Sequence, residues 1–350
     1  MRRVNPIALV TGSRGFIGSH LVEALVAQGI RVRCLVRAGT TPELASITGG
    51  AIEHCVVDYD DPRSLATSGA LDGVSYVFHV GGVTKGVSQR EFNAGNVAPT
   101  SRLVDALAAQ RKGGPLERVV LVSSQAAAGP ARSLDAPRDE SQADEPIEEY
   151  GRSKLEAERV VASRGDTIPF TIVRPSAVYG PRDRDFLTIF KQARRGVGLY
   201  PASRDRFISL IHVRDVVRGL IAAARSPTAT GRTYFLTAEP AVSWRDVYRA
   251  AGDAMGRKIS EFNIPQALVD AAGVLGDVHA WLTGTPSLVT RQKVALSRAD
   301  YWVCSGARAE RDFGFRAGIG LREGMGETYR WYVEHGWLDG SSKFQDPSSK

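Results

Sequence analysis

The sequence predicts an α/β fold: a doubly wound parallel sheet followed by a smaller, mainly helical domain. Three observations predict it. A glycine-bearing turn, Thr11-Gly12-Ser13-Arg14-Gly15-Phe16-Ile17-Gly18, lies between an apolar run at 7–10 and a helical pattern at 19–27. Strand and helix patterns then alternate through the first 180 residues, which argues for parallel strands covered on both faces. After Pro181 the alternation weakens, and short helical patterns dominate from Ser243 onward.

The elements follow in order. Residues 7–10 are a first strand, and Leu21, Val22, Leu25 and Val26 give the next helix one apolar side. Residues 31–36, 52–57 and 74–80 read as the second to fourth strands, 91–109 as a helix, 118–122 as a strand, 150–163 as a helix and 170–173 as a strand. Residues 185–196 look helical, and 207–213 and 233–237 look like strands returning to the sheet. The segment 267–282 is apolar apart from Asp270, Asp277 and His279. It reads as a packed helix, with a cover over an apolar pocket or a membrane-touching face as the alternative. Residues 131–146 form a surface loop, and 339–350 a polar, disordered tail. The expected division is a nucleotide-binding domain of residues 1–180, to which 205–238 return, and a substrate domain of 181–204 and 239–338.

The glycine turn carries the first functional implication. A strand–turn–helix of this form aims helix N–H groups and the positive dipole end at a diphosphate. Gly12 suits the tight turn, Gly15 a close backbone approach, and Gly18 close packing of helix on strand, which together mark a dinucleotide site on a Rossmann-type sheet.

Composition narrows the classes. The 350 residues are 43% apolar with a formal charge of +7, which is compatible with an anionic cofactor. Basic residues are dispersed without an aromatic-basic array, so nucleic acid is not an expected partner. No apolar run reaches the ~18 residues of a membrane span. Cys34, Cys55 and Cys304 are few and unpatterned, which points to a reducing, cytoplasmic setting. His20, His54 and His79 lie outside ligand spacing and argue against a metal enzyme.

Tyr150 and Lys154 are four residues apart and share a helix face. An ammonium beside a phenol favours the phenolate, so the pair predicts a lowered Tyr150 pKa and a usable acid/base. Upstream, a strand ends in Ser123-Ser124, where the carboxyl end of a parallel strand opens into the ligand crevice. A Ser124 hydroxyl there can bond a substrate carbonyl and its developing oxyanion, while Ser123 reads as structural.

Taken in order, these motifs resemble the extended short-chain dehydrogenase/reductase family, within the NAD-dependent epimerase/dehydratase superfamily. The resemblance runs to about Leu338. It rests on residues 11–18, Asp58, His79-Val80-Gly81-Gly82, Asn96-Val97, Ser123-Ser124, Tyr150 to Lys154, the run from Arg174 to Gly180, and His212-Val213-Arg214-Asp215. It implies Tyr150 as acid/base, Ser124 as substrate polariser and Lys154 as a further contact to the nicotinamide ribose. Asp58 and Tyr59 would lie at the adenine, Val80, Gly81 and Gly82 beside the cofactor, and Pro175, Ser176 and Val178 at the carboxamide. The helices beginning near Asn96 and Tyr150 would pair with their copies in a homodimer.

Charge bears on the cofactor. An acid ending the second strand would repel a 2′-phosphate, but Arg37 stands there and Arg14 lies in the glycine turn. Both suit a phosphate, which favours NADP(H), with NAD(H) the alternative. On the substrate side, Gln125-Ala126 replaces the Asp-Glu of family dehydratases, and Ile208 stands where nucleotide-sugar epimerases of the family place an Arg. The chain looks more similar to 3β-hydroxysteroid dehydrogenase-like and dihydroflavonol reductase-like members, which act on apolar ketones or secondary alcohols. The segments 83–92 and 185–200 would line the substrate. The alternatives are a nucleotide-sugar epimerase with tightly bound NAD and a non-catalytic NADP(H)-binding regulator.

Overall fold

Seven parallel strands build the central sheet of the computed structural model: β1 (Ile7–Thr11), β2 (Arg31–Arg37), β3 (Ile52–Val57), β4 (Val74–His79), β5 (Arg118–Val122), β6 (Phe170–Pro175) and, far along the chain, Arg232–Leu236. The model describes residues 6–37, 52–59, 61, 63–110, 114–201, 203–283, 294, 296 and 298–339. The Arg232–Leu236 strand pairs with β6 and closes that edge, and the order inward from the other edge is β3-β2-β1-β4-β5-β6. The chain thus winds one way from β1 to β3 and the other way from β4 onward. The switch point falls between β1 and β4, where ligands enter at the carboxyl ends of the strands.

Every residue of β1, β5 and β6 is buried, as their continuous apolar runs require of strands covered on both sides. On one face α1 (Phe16–Ala27) supplies Leu21, Val22 and Leu25 to a core shared with Val216 and Leu220 of the helix Val213–Arg225. On the other, Leu103, Val104 and Leu107 pack with Leu9, Leu121 and Ile172. A third core, built on Phe190, Tyr200, Val247, Met325 and Tyr332, holds the carboxyl-terminal helices together.

Three expectations are corrected. The 207–213 segment does not return to the sheet. It breaks at Ser209 into Phe207–Ile208, paired with Val242–Ser243 and Tyr301–Trp302, and Leu210–His212, paired with Ala177–Tyr179. At Ser209 the backbone changes partner: its N–H donates to Trp302 O (2.8 Å) and its carbonyl accepts from Ala177 N–H (3.2 Å), while its hydroxyl accepts from Cys304 N–H (3.0 Å); apolar alternation does not say which sheet a strand joins. The 91–109 helix is interrupted. Gln89–Phe92 passes through a widened turn, Asn93–Val97, into Ala98–Gln110. Pro99 has no N–H to return to the preceding turn, and the widening sits just before it. Finally, 267–282 is a helix, Gln266–Thr283, but it is not packed all round: Leu268, Leu275 and Leu282 are between 62% and 69% exposed. Residues 340–350 of the expected tail lie outside the described residues.

A buried ion network ties β6 to the helix Glu149–Ala162, here α2. Arg174 donates to Glu158 through Nε (2.9 Å) and Nη2 (2.5 Å) and to both oxygens of Asp144 (2.7 and 2.9 Å). Ser123 also donates to Glu158, which bears out its structural role. Removing one partner of a buried pair leaves the other charge desolvated, at a cost of about 3–5 kcal/mol. Arg174→Met is therefore expected to lose that order of stability in urea denaturation; a loss below ~1 kcal/mol would show that the network holds little.

Candidate active site

The cofactor crevice is built by backbone. Gly12 has φ +66°, a region where a side chain is strained. A Cβ there would lie 2.6 Å from the Gly81 Cα, so the turn after β1 and the segment after β4 touch at the switch point. A Cβ on Gly18 would sit 2.0 Å from the Gly12 carbonyl oxygen, which is the close helix–strand packing expected of it. Gly15 opens α1 with no side-chain cap, and the first turn holds no acidic residue. The N–H groups of Phe16, Ile17 and Gly18 lack intrahelical partners by geometry, leaving a site for an anion. The Thr11 hydroxyl joins this turn to the β4 end: it accepts from Gly81 N–H (3.0 Å) and bonds His79 Nδ1 (2.7 Å). Burial lowers the His79 pKa to about 3, so the imidazole is neutral.

These features fit a dinucleotide. Arg14 and Arg37 are both exposed at the rim, and the Arg37 guanidinium lies 5.7 Å over the Tyr59 ring. Asp58 is exposed just beyond β3, its N–H bonded to Ser64 Oγ. Val80, Gly81 and Gly82 line the far side of the crevice, where a Gly82 Cβ would be 2.8 Å from Asn96 Oδ1 and 3.6 Å from Lys154 Nζ. Pro175, Ser176 and Val178 follow β6, and the buried Ser176 hydroxyl has no hydrogen-bond partner among the described residues, as a group awaiting a polar ligand would.

The three chemistry-bearing side chains converge at the carboxyl ends of β5 and β6. Ser124 caps the short turn Gln125–Ala127, accepting from Ala126 N–H at 3.1 Å, and its hydroxyl is near enough to Tyr150 to draw that phenol's pKa down. Glu148, which sequence reasoning missed, caps α2 by accepting from Gly151 N–H (2.8 Å) and Tyr150 N–H (3.2 Å). Only its Asx/Glx-like position before a helix could have signalled this. Gly151 lets α2 start against the Ala126 carbonyl, which a Cβ would approach to 2.3 Å. Asn96 then locks the helix: its amide donates to Ser153 Oγ (2.8 Å) and to Val83 O (3.0 Å), and its Oδ1 accepts from Val83 N–H (2.7 Å).

The electrostatics correct one expectation. Tyr150 is not shifted down. Burial pushes its pKa up to about 12, with the nearby Ser124 hydroxyl opposing and the Glu148 carboxylate adding to the rise. Lys154 stands one turn along as its spacing requires, and its ammonium donates to Val122 O at 2.7 Å. Burial lowers the Lys154 pKa to about 8, against the attraction of Glu158.

Ser124 and Tyr150 open onto a cavity of about 1190 Å³. Thr84 to Val87 and Phe92 line it from one side and Phe186, Ile189, Leu199 and Tyr200 from the other, as expected for 83–92 and 185–200. Sequence reasoning missed Phe207, Trp244, Tyr248 and Trp302, which arrive from later segments, although Trp and Phe among polar neighbours were a usable signal. Ile208 faces this cavity. The nearby cations have acidic partners: Arg206 with Asp300 (3.0 Å), Arg204 with Glu261 (3.3 Å) and Arg182 with Glu23 (2.6 Å).

The model of the NAD dependent epimerase/dehydratase family matches residues 8–236. The chain belongs to that family. It is similar to a ceramide reductase of Caulobacter vibrioides (strain NA1000 / CB15N), 31% identical over 95% of this chain and 96% of that protein. It is also similar to a 4-hydroxy-2-methyl-3-oxo-4-farnesyl-3,4-dihydroquinoline-1-oxide ketoreductase of Stigmatella aurantiaca, 29% identical over 90% and 93%. Among solved structures, gox2253 superposes with a TM-score of 0.78 at 27% identity, covering 96% of this chain and all (100%) of that one. The protein is an enzyme of the short-chain dehydrogenase/reductase type, an NAD(P)-dependent oxidoreductase or epimerase.

The depressed Lys154 pKa predicts a stability profile. Between pH 8 and the ordinary lysine value of 10.5, the unfolded chain holds a proton that the folded chain has released, so stability rises with pH across that window. In nucleotide-free protein, urea denaturation should show the wild type gaining stability relative to Lys154→Met from pH 7.5 to pH 10, as its buried ammonium discharges (about the shift's own window). Parallel profiles would show that Lys154 is not held in this low-dielectric position.

Proposed function

We propose that the protein is an NADP(H)-dependent ketoreductase acting on a largely apolar ketone or secondary alcohol. The observation that carries the proposal is the cavity itself: Ser124 and Tyr150 stand at one end of a space walled by Phe186, Ile189, Phe207, Ile208 and Trp302. A buried diphosphate needs paired cations, and Arg204, Arg206 and Arg182 are already matched to carboxylates. An apolar chain or ring gains roughly 25 cal/mol for each Å² it buries there. The relatives named for reducing ceramide and a farnesylated ketone are consistent with that substrate class. We assign residues 1–180, with the helix Val213–Arg225 and the returning strand Arg232–Leu236, to nucleotide binding, and 181–212 with 239–338 to substrate, and a homodimer through the helices Ala98–Gln110 and α2.

When bound, NADPH supplies the hydride that reduces the carbonyl carbon. The Ser124 hydroxyl donates to the carbonyl oxygen and holds it toward Tyr150. With its pKa raised, Tyr150 keeps its proton at neutral pH and gives it to that oxygen as the C=O becomes an alkoxide, a stronger base than a phenolate. The Lys154 ammonium sits at the carboxyl end of β5, beside Gly82, where a ribose hydroxyl would be within its reach, and the α1 N-terminus would hold the diphosphate.

Two outcomes test the assignment. Tyr150→Phe is expected to lower kcat on the order of a hundredfold or more, the scale of general acid catalysis, with nucleotide affinity nearly unchanged; normal turnover by this variant would exclude Tyr150 as the acid. Arg37→Ala is expected to weaken NADPH far more than NADH in fluorescence titration, because only NADPH carries the extra phosphate. Equal weakening would place Arg37 at the adenine or in the fold.

A further inference from the structure

The helix Gln266–Thr283, α3 in this account, is amphipathic in the reverse sense. Its exposed residues include Leu268, Val274, Leu275, Val278 and Leu282, each between 47% and 69% exposed, and none of its exposed residues is Asp, Glu, Lys or Arg. Its two acids, Asp270 and Asp277, are half-buried; Asp270 pairs with Arg298 (3.1 Å). Phe262, on the strand leading into the helix, is 53% exposed. Scattered apolar side chains at a surface are ordinary, but a contiguous helical face of them marks a docking site.

We propose that this face lies on a lipid bilayer and that the substrate passes from the bilayer into the cavity beside it. Two observations single out a bilayer. First, the same helix borders the cavity: Asp277 lines it, together with Ile264 and Leu296. Leu268 and Leu275 lie on nearly the opposite side of the helix from Asp277 at 100° per residue. One element therefore has exposed apolar side chains on its outer face and borders the cavity on its inner face, and a second protein covering it would stand over this end of the cavity. Second, the chain carries +7, which attracts it to an anionic leaflet. No helix among the described residues is long and apolar enough to cross a membrane, so the contact is interfacial, with α3 in the plane of the surface. The choice of a bilayer rests in part on the apolar substrate of the proposed function, but the contact is read without turnover.

The experiment is co-sedimentation of the full chain with phosphatidylcholine vesicles, with and without phosphatidylglycerol. The wild type is expected to bind both and the anionic vesicles more tightly. L275E/L282E, whose two sites do not line the cavity, should lose on the order of tenfold or more in partitioning while reducing a water-soluble ketone at the wild-type rate. L268E, on the same face, provides a second variant if the double variant does not fold. A wild type that remains in the supernatant with both vesicle types would overturn the proposal. So would a wild-type dimer, seen by light scattering, that L275E/L282E dissociates without any vesicle binding, because a second copy would then be the cover. Vesicle binding by a protein that turns over no apolar ketone would contradict the proposed function and leave the bilayer contact standing.

Discussion

The structure depends on one steric constraint, the approach of two backbone segments at the switch point of the sheet. The turn after β1 and the segment after β4 meet where a Gly12 Cβ would be 2.6 Å from Gly81, and α1 comes down on the same turn where a Gly18 Cβ would be 2.0 Å from the Gly12 oxygen. No side chain fits at either place. The contact leaves the first N–H groups of α1 uncapped beside the crevice, so the geometry that packs the fold also makes the anion site. Thr11 and the neutral His79 extend the constraint inward, and His79 Nε2 bonds Thr100 (2.9 Å) in the helix that Asn96 leads into.

From there the positioning passes by hydrogen bonds to the reacting groups. Asn96 fixes Ser153, whose hydroxyl donates to Tyr150 O at 2.7 Å, while Glu148 and Gly151 set where α2 begins. Tyr150 is thus held by its helix start, and Ser124 by the turn it caps. The pKa values follow from the low dielectric of this place. Desolvation works against a phenolate and against an ammonium alike, raising Tyr150 and lowering Lys154. A protonated tyrosine is suited to giving a proton in the reduction step.

Much of this was legible in the sequence, and the exceptions have physical reasons. The glycine turn and the parallel strands are local patterns, and the chain folds as they require; Ser124 and Tyr150, which the family resemblance paired, line one cavity. The direction of the Tyr150 shift was not legible, because a four-residue spacing gives proximity but not burial, and the Lys154 ammonium has a stronger acceptor in Val122 O. The 207–213 segment was misassigned because a strand's partner is decided by distant groups, here Trp302 and Ala177, which bond the N–H and the carbonyl of Ser209. The helix Gln266–Thr283 was legible as a helix, but its apolar composition suggested burial; only the fold shows that the leucines face outward and the acids inward. The cavity walls contributed by Trp244 and Trp302 likewise depend on how later segments fold back.

The central claim is that hydride moves between a nicotinamide and a carbon of an apolar ketone within this cavity. The most direct measurement is a single-turnover reaction of the enzyme with NADPH carrying deuterium on the transferred position and a long-chain ketone, with the product read by mass spectrometry. The account predicts deuterium on the new carbinol carbon and oxidised nucleotide released in equal amount. An enzyme that leaves the ketone untouched, retains its nucleotide, and inverts a hydroxyl of a nucleotide sugar without net oxidation of the cofactor would contradict it.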